Sequence, residues 1–299
     1  MKARMGSGTI LRMLALAVPL AGMIACSNPT PGGYADRATP AYAGLALSTP
    51  TGQRPVRHPE KIGIGIAAPP CDIRSAEVAR LGLSWYYNWK AVPEALLGPQ
   101  FVPMIWGARE VSPGHLLYAG TAPAGVILGF NEPDNPRQSA MTVEQALDLW
   151  PELMRTGARL GSPATTDALG NWMREFMQKA EARRYRVDFV AVHYYADDLD
   201  VGKFQRLLEA VHETYGKPIW VTEWAPVDWT DLGKYSEQQL ADYLYAASHM
   251  LDRLDFVERH SWFSAYEGAD NLYGWNNAAI APDGSLTLVG RTMATLTGH

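Results

Sequence analysis

Cysteine is nearly absent from this chain: two in 299 residues, Cys26 and Cys71. Two thiols make at most one bridge, so no disulfide framework organises the fold. Neither Cys-x-x-Cys nor His-Glu-x-x-His occurs, and the seven histidines are dispersed. No metal-ligand spacing results, and neither a metal nor any other cofactor is expected. A phosphate-binding glycine turn is missing too. Gly63-x-Gly65 lacks a third glycine, and no helix start follows it in register. Basic runs are also lacking: 26 Lys and Arg against 31 Asp and Glu leave a net charge of −5, which gives no footprint for nucleic acid. What remains is ordinary globular composition, 47% hydrophobic and 19% charged, with length for one large core.

The first 25 residues read as a signal peptide rather than as fold. Lys2, Arg4 and Arg12 flank an apolar segment from Ile10 to Ala25 that is short for a stable membrane span. It ends in Met23-Ile24-Ala25-Cys26, which resembles a bacterial lipobox, with Met23 where Leu is usual. The expectation is a lipoprotein with Cys26 lipidated; the alternative is a plain signal peptide and a chance cysteine. With Cys26 lipidated, Cys71 has no partner. Ser27, where Asp would favour inner-membrane retention, points to the outer membrane or cell surface, with a periplasmic or secreted protein as the alternative. Residues 26–59, rich in Pro, Gly, Ala, Ser and Thr, read as a flexible tether.

From residue 60 the texture changes to alternating strands and helices. Strands are expected at Lys61–Ile66, Ser84–Trp89, Phe101–Trp106, Val126–Phe130, Leu160–Pro163, Val187–Tyr195, Lys217–Trp224 and Val257–Ser264. Helices are expected at Asp72–Leu81, Thr142–Arg159, Asn171–Ala182, Val201–Tyr215, Ser236–Leu254 and Leu288–Leu296, with Asp72 as an N-cap and Thr142 and Gln145 forming a capping box. Eight strands over this length match an α/β fold of the (β/α)8 TIM-barrel type spanning 60–299 without an internal boundary. A doubly wound sheet is the rival, disfavoured by the missing glycine turn.

Two carboxylates stand out. Val126-Ile-Leu-Gly-Phe130 runs into Asn131-Glu132-Pro133, where proline cannot continue a central strand, so Glu132 sits at a strand's C-terminal tip. Glu223, in Trp220-Val-Thr-Glu-Trp224, closes another apolar strand 91 residues later. Either glutamate alone reads as a surface or ion-pair residue. Together, at the C-terminal ends of the fourth and seventh strands, they would converge across the barrel mouth, where catalytic groups sit.

Here the sequence resembles the clan A glycoside hydrolases, through Asn131-Glu132 and Glu223. The longer strings Gly129-Phe-Asn-Glu-Pro-Asp134 and Trp220-Val-Thr-Glu-Trp-Ala225 are similar to glycoside hydrolase family 128, endo-β-1,3-glucanases. So are Trp85 to Trp89, Met104-Ile-Trp106 and His193-Tyr-Tyr195, in the same order. The resemblance runs from about residue 61 to the end. It implies a retaining double displacement on β-1,3-glucan, with Glu132 as acid/base and Glu223 as nucleophile. It implies further that Asn131 bonds the sugar 2-hydroxyl and that His193 and Tyr195 orient the two glutamates. Strand alternation puts His193 and Tyr195 on one face and Tyr194 on the other.

Ten Trp and fourteen Tyr exceed what core filling needs, and aromatic surfaces suit flat sugar faces. Trp85, Trp89, Trp106, Trp224 and Trp262 are the stacking candidates. Asp134, Glu267 and Asp270 read as loop-stabilising. The expected protein is a monomeric, lipid-anchored hydrolase meeting β-glucan. Two alternatives stand beside it: a clan A enzyme on mixed-linkage glucan, xylan or mannan, and a non-catalytic glycan-binding lipoprotein.

Overall fold

The computed structural model describes residues 52–299 apart from 68–74, 95–96, 269–271 and 273. The signal peptide, Cys26, Cys71, Asp72 and Asp270 lie outside the described residues, as does the tether up to residue 51.

Eight parallel strands follow one another in the chain: β1 (Ile62–Gly65), β2 (Trp85–Tyr87), β3 (Gln100–Phe101), β4 (Val126–Ile127), β5 (Arg159–Leu160), β6 (Val190–Ala196), β7 (Ile219–Pro226) and β8 (Val257–Trp262). Hydrogen bonding runs β3-β2-β1-β8-β7-β6 in one sheet, and β4-β5 form a separate pair. Single bridges close both seams, Met104 to Leu128 beyond β3 and Gly161 to Phe189 before β6. The sheet therefore returns on itself in sequence order as a (β/α)8 barrel, irregular on the β3–β5 side.

The helices are α1 (Ser75–Ala79), α2 (Pro113–Thr121), α3 (Val143–Arg155), α4 (Asn171–Ala182), α5 (Val201–Tyr215), α6 (Glu237–Arg253) and α7 (Leu288–Thr297). Thr142 and Gln145 form the expected capping box, and Arg159, expected to end α3, belongs instead to β5. α2 was not expected, although Ser112 caps it and Pro113 sits in its first turn, a common start signal. No helix among the described residues is long and apolar enough to cross a membrane.

Three apolar groups fill the molecule. Trp85, Tyr87, Val102, Met104, Val126, Leu128, Phe189 and Trp220 form one. The other two lie around it, for example Ile62, Ile64, Val221 and Leu244 on one side, and Ile127, Leu147 and Trp150 on the other. In β1 the isoleucines Ile62 and Ile64 join the outer group, so Gly63 and Gly65 face inward. Residues 54–58, expected within the tether, are held on the domain. The backbone N–H groups of Arg57 and His58 donate to the Asp252 carboxylate at 3.0 and 2.9 Å, and Val56 N donates to Leu296 O at 3.0 Å.

His260 in β8 is fully buried against the Trp224 ring, with its Nδ1 unpartnered. Burial, with a smaller contribution from the charge of Lys61, pushes its pKa down to about 3. Between that value and the unfolded value near 6.5 the unfolded chain binds a proton that the folded chain refuses, so stability falls as pH falls through this window. His260→Leu is expected to flatten the acid limb of a denaturant-monitored stability curve by up to ~1.4 kcal/mol per pH unit. Parallel curves for wild type and variant would refute this.

Candidate active site

The fourth-strand segment carries Glu132 well past its last regular residue. Asn131 N donates to Trp106 O at 2.8 Å and Glu132 N to Ala164 O at 2.7 Å, so the backbone is stitched to the loops after β3 and β5. Glu132 adopts φ 38°, a conformation costing a non-glycine residue on the order of 1–3 kcal/mol and held only where its surroundings enforce it. Its Oε2 accepts from Asn135 Nδ2 at 3.0 Å, and its Oε1 lies 3.1 Å from His193 Nδ1. Asp134 clips the loop to the next one, accepting from Thr166 N at 3.0 Å and from the Thr166 hydroxyl, the loop-stabilising part expected of it.

Glu223 is inside β7 rather than at its end, since the strand continues to Pro226. Trp220 faces the barrel interior, and simple alternation from it would turn Glu223 outward. The ladder to β6 prevents this: Val192 pairs with Val221 and His193 with Glu223, leaving Thr222 as one extra residue. Such a bulge re-aims the side chains beyond it. Glu223 turns in and Trp224 turns out. The Glu223 carboxylate then accepts from Trp89 Nε1 at 2.7 Å on Oε1 and from Tyr195 OH at 2.5 Å on Oε2, while Tyr87 OH, whose shorter bond is to Thr222 O at 2.9 Å, stands 3.3 Å from Oε1.

His193 stands between the two acids. Its Nε2 lies 3.3 Å from Glu223 Oε1, off the line of a good hydrogen bond, so the contact is an ion-pair one. Burial opposes its charged form, but the carboxylates of Glu223 and Glu132 outweigh it and raise its pKa. Burial, followed by the charge of Glu223, holds the Tyr195 hydroxyl well above its usual range, so Tyr195 stays a donor. Tyr194 points the other way and stacks on Phe204 of α5 at 4.2 Å, as alternation requires. One ligand atom each from Glu132, His193 and Glu223 lies within 4.8 Å of the others, and among the described residues these three form the group that could approach a cation. Their immediate neighbours are N–H and O–H donors, the setting of carboxylates that hold and exchange protons.

Asn131 is buried, with Nδ2 donating to Gln138 at 3.4 Å and Oδ1 unpartnered. Trp89 and Trp106 keep part of their surface exposed beside these groups. Three expected stacking residues do not, and they are corrected here. Trp85 is fully buried, its indole donating to Lys61 O at the start of β1 and packing on Trp220 at 5.4 Å. Trp224, turned out by the bulge, packs on Phe204 and Tyr243. Trp262 sits edge-on to Trp224 at 4.9 Å and donates to Asn277 O. None of the three offers a free face to a ligand.

The sequence reading passed over Tyr87 and Asn135, which touch the glutamates directly, and Phe263, Trp229 and Trp275, which pack round Tyr195. Tyr87 was legible, being of one parity with Trp85 and Trp89. Trp229 and Trp275 lie in loops with no periodicity to mark them.

Comparison with known proteins adds to this geometry. The model of the glycosyl hydrolase catalytic core matches residues 65–293. The alkali-sensitive linkage protein 1 of Schizosaccharomyces pombe is 32% identical over 217 residues, 70% of this chain but 39% of its own length. The chain thus spans about two fifths of that relative. A GH128 subgroup I endo-β-1,3-glucanase from Amycolatopsis mediterranei, solved with laminarihexaose, is 37% identical, with a TM-score of 0.69 over 79% of this chain and 98% of that one. A GH128 subgroup V exo-β-1,3-glucanase from Cryptococcus neoformans is 28% identical, with a TM-score of 0.64 over 80% and 100%.

Proposed function

The chain belongs to the glycosyl hydrolase catalytic core and, within it, to glycoside hydrolase family 128, and on that premise we propose that it is a retaining endo-β-1,3-glucanase. The observation that carries the mechanism is the spacing of the acids. One carboxylate oxygen of Glu132 lies within 4.8 Å of one of Glu223, which leaves no room for a water between them on that side. Retaining glycosidases hold their carboxyls about 5–5.5 Å apart, whereas inverting ones need roughly 6.5–9.5 Å to admit a water.

Glu132 gives its proton to the glycosidic oxygen while Glu223 attacks the anomeric carbon. The bond to the leaving sugar breaks and a glycosyl ester forms on Glu223. Water, deprotonated by Glu132, then displaces the ester and restores both acids. Tyr195 and Trp89 hold the attacking carboxylate still, which fixes the trajectory before substrate arrives. The unpartnered Oδ1 of Asn131 supplies an acceptor for a sugar hydroxyl, and Trp89 and Trp106 offer apolar faces to the rings. The endo mode rests on the likeness to the Amycolatopsis enzyme.

Laminarin digested by the purified domain, followed by proton NMR of the first product anomer, tests this. A β anomer and a ladder of oligosaccharides are expected. An initial α anomer would refute retention, glucose as sole product would refute endo action, and cleavage of xylan without laminarin would refute the substrate.

The lipid anchor is part of the same proposal, supported by Met23-Ile24-Ala25-Cys26 and the low-complexity stretch that follows. An enzyme held at the outer membrane or cell surface would reach glucan through residues 27–53. In a bacterial host, Cys26→Ser should move the protein from the membrane to the soluble fraction. Retention in membranes would refute lipidation.

A further inference from the structure

The two glycines of β1 have no part in phosphate binding, yet neither can be replaced freely. β1 and β2 run parallel with Gly63 beside Trp85 and Gly65 beside Tyr87. A Cβ on Gly63 would fall 2.3 Å from Trp85 Cε2, and one on Gly65 would fall 2.6 Å from Trp89 Cη2 and 3.2 Å from its Cζ2. These distances are well inside van der Waals contact, and an indole is too rigid to give locally. β1 thus leaves two blank positions, and β2 with the two residues after it lays an indole over each. The lower indole, Trp85, belongs to the packed interior. The upper one, Trp89, adopts φ 58°, with its ring packed on Tyr87 at 4.7 Å and Phe263 at 5.6 Å, and its N–H directed at Glu223 Oε1.

The benzo edge of Trp89 rests on Gly65 and the pyrrole N–H meets Glu223, with no rotatable bond between the two. A push at one end is delivered to the other. We propose that Gly65 is a positioning residue for Glu223, acting through Trp89: the missing side chain seats the indole at the depth where its N–H fixes the carboxylate. The proposal rests on Glu223 being the nucleophile, and a displacement of about 1 Å at such a group can cost on the order of 10²-fold in rate.

A double-mutant cycle tests it, with Gly63→Ala as the matched packing control. Gly65→Ala should lower kcat on laminarin about 10- to 100-fold with KM changed less than about threefold. Trp89→Phe, which removes the atoms that a methyl at 65 would meet, should make Gly65→Ala nearly silent, so that the double variant turns over like Trp89→Phe alone. Gly63→Ala should lower Tm and leave kcat of the folded protein unchanged. Equal costs of Gly65→Ala in the wild-type and Trp89→Phe backgrounds would overturn the proposal. So would a kcat loss no larger than that of Gly63→Ala. Should Gly65→Ala fail to fold, the double variant decides: folding and activity like Trp89→Phe support the proposal, and failure to fold again refutes it. The indole N–H resonance of Trp89 in 15N-tryptophan spectra, identified by its loss in Trp89→Phe, should move in Gly65→Ala and hold still in Gly63→Ala. That readout needs no turnover, so it separates a failure here from a wrong assignment of the reaction.

Discussion

Glu223→Gln is expected to lower kcat on laminarin by ~10⁴-fold or more, equivalent to ~5.5 kcal/mol of barrier, in a protein that stays folded. The amide matches the carboxylate in shape but cannot attack the anomeric carbon. Its surroundings accept it in one orientation. The Trp89 indole is a donor only, so the amide oxygen must face Trp89, and the NH₂ must face Tyr195, whose hydroxyl turns to accept. The site therefore keeps its shape while losing its nucleophile. Turnover on laminarin, thermal unfolding and calorimetric binding of a laminari-oligosaccharide check the three parts of this expectation. Turnover within tenfold of wild type would remove Glu223 from the nucleophile's role.

Glu132→Gln should cost about 10²- to 10⁴-fold on glucan, the usual worth of a positioned general acid. The cost should depend on the leaving group, which the Glu223 variant's should not. A sugar hydroxyl leaves poorly unless protonated, whereas an activated phenolate leaves unaided. On a dinitrophenyl β-glucoside-type substrate, the variant should form the glycosyl ester at near wild-type rate and then stall, because no base is left to activate water. A burst of phenolate followed by slow turnover, with the ester's added mass on the intact protein, is the expected signature. Asn135 can still donate to the amide oxygen, and the NH₂ then faces His193 Nδ1, which must serve as acceptor. An aryl substrate slowed as much as glucan, with no burst, would mean that Glu132 is not the acid.

How legible this molecule is depends on what each signal encodes. Helices α4 and α5 were read to the residue, because amphipathic periodicity and flanking caps are local properties of the chain. α2 went unread because most of its side chains stay partly exposed and only Ala119 is buried, so no apolar stripe marks it. The irregular side of the barrel, where β3, β4 and β5 shrink to two residues each, is held by single bridges that no alternation pattern records. The pair Glu132 and Glu223 was legible from its position after apolar runs. The tryptophans were not, because a residue's usefulness to a ligand depends on which side of the sheet it occupies and how deep. Trp89 and Trp85 have the same parity, but one lies at the carboxylates and the other deep in the interior. Trp224 follows Glu223 directly and lands among the helices for that reason.

The unpaired Thr222 has a consequence that concerns descent rather than chemistry. Substitution exchanges one side chain for another at a fixed place. Losing this residue would instead remove the bulge and leave a regular ladder, in which alternation from Trp220 still turns Glu223 inward and Trp224 outward. The glutamate would keep its place at the mouth, and the indole would stay among the helices. Both glutamate codons would survive, and an alignment of the sequences would show a one-residue gap beside the second. Among divergent members of such a lineage, a strand one residue shorter between Trp220 and Glu223 is therefore no mark of lost activity.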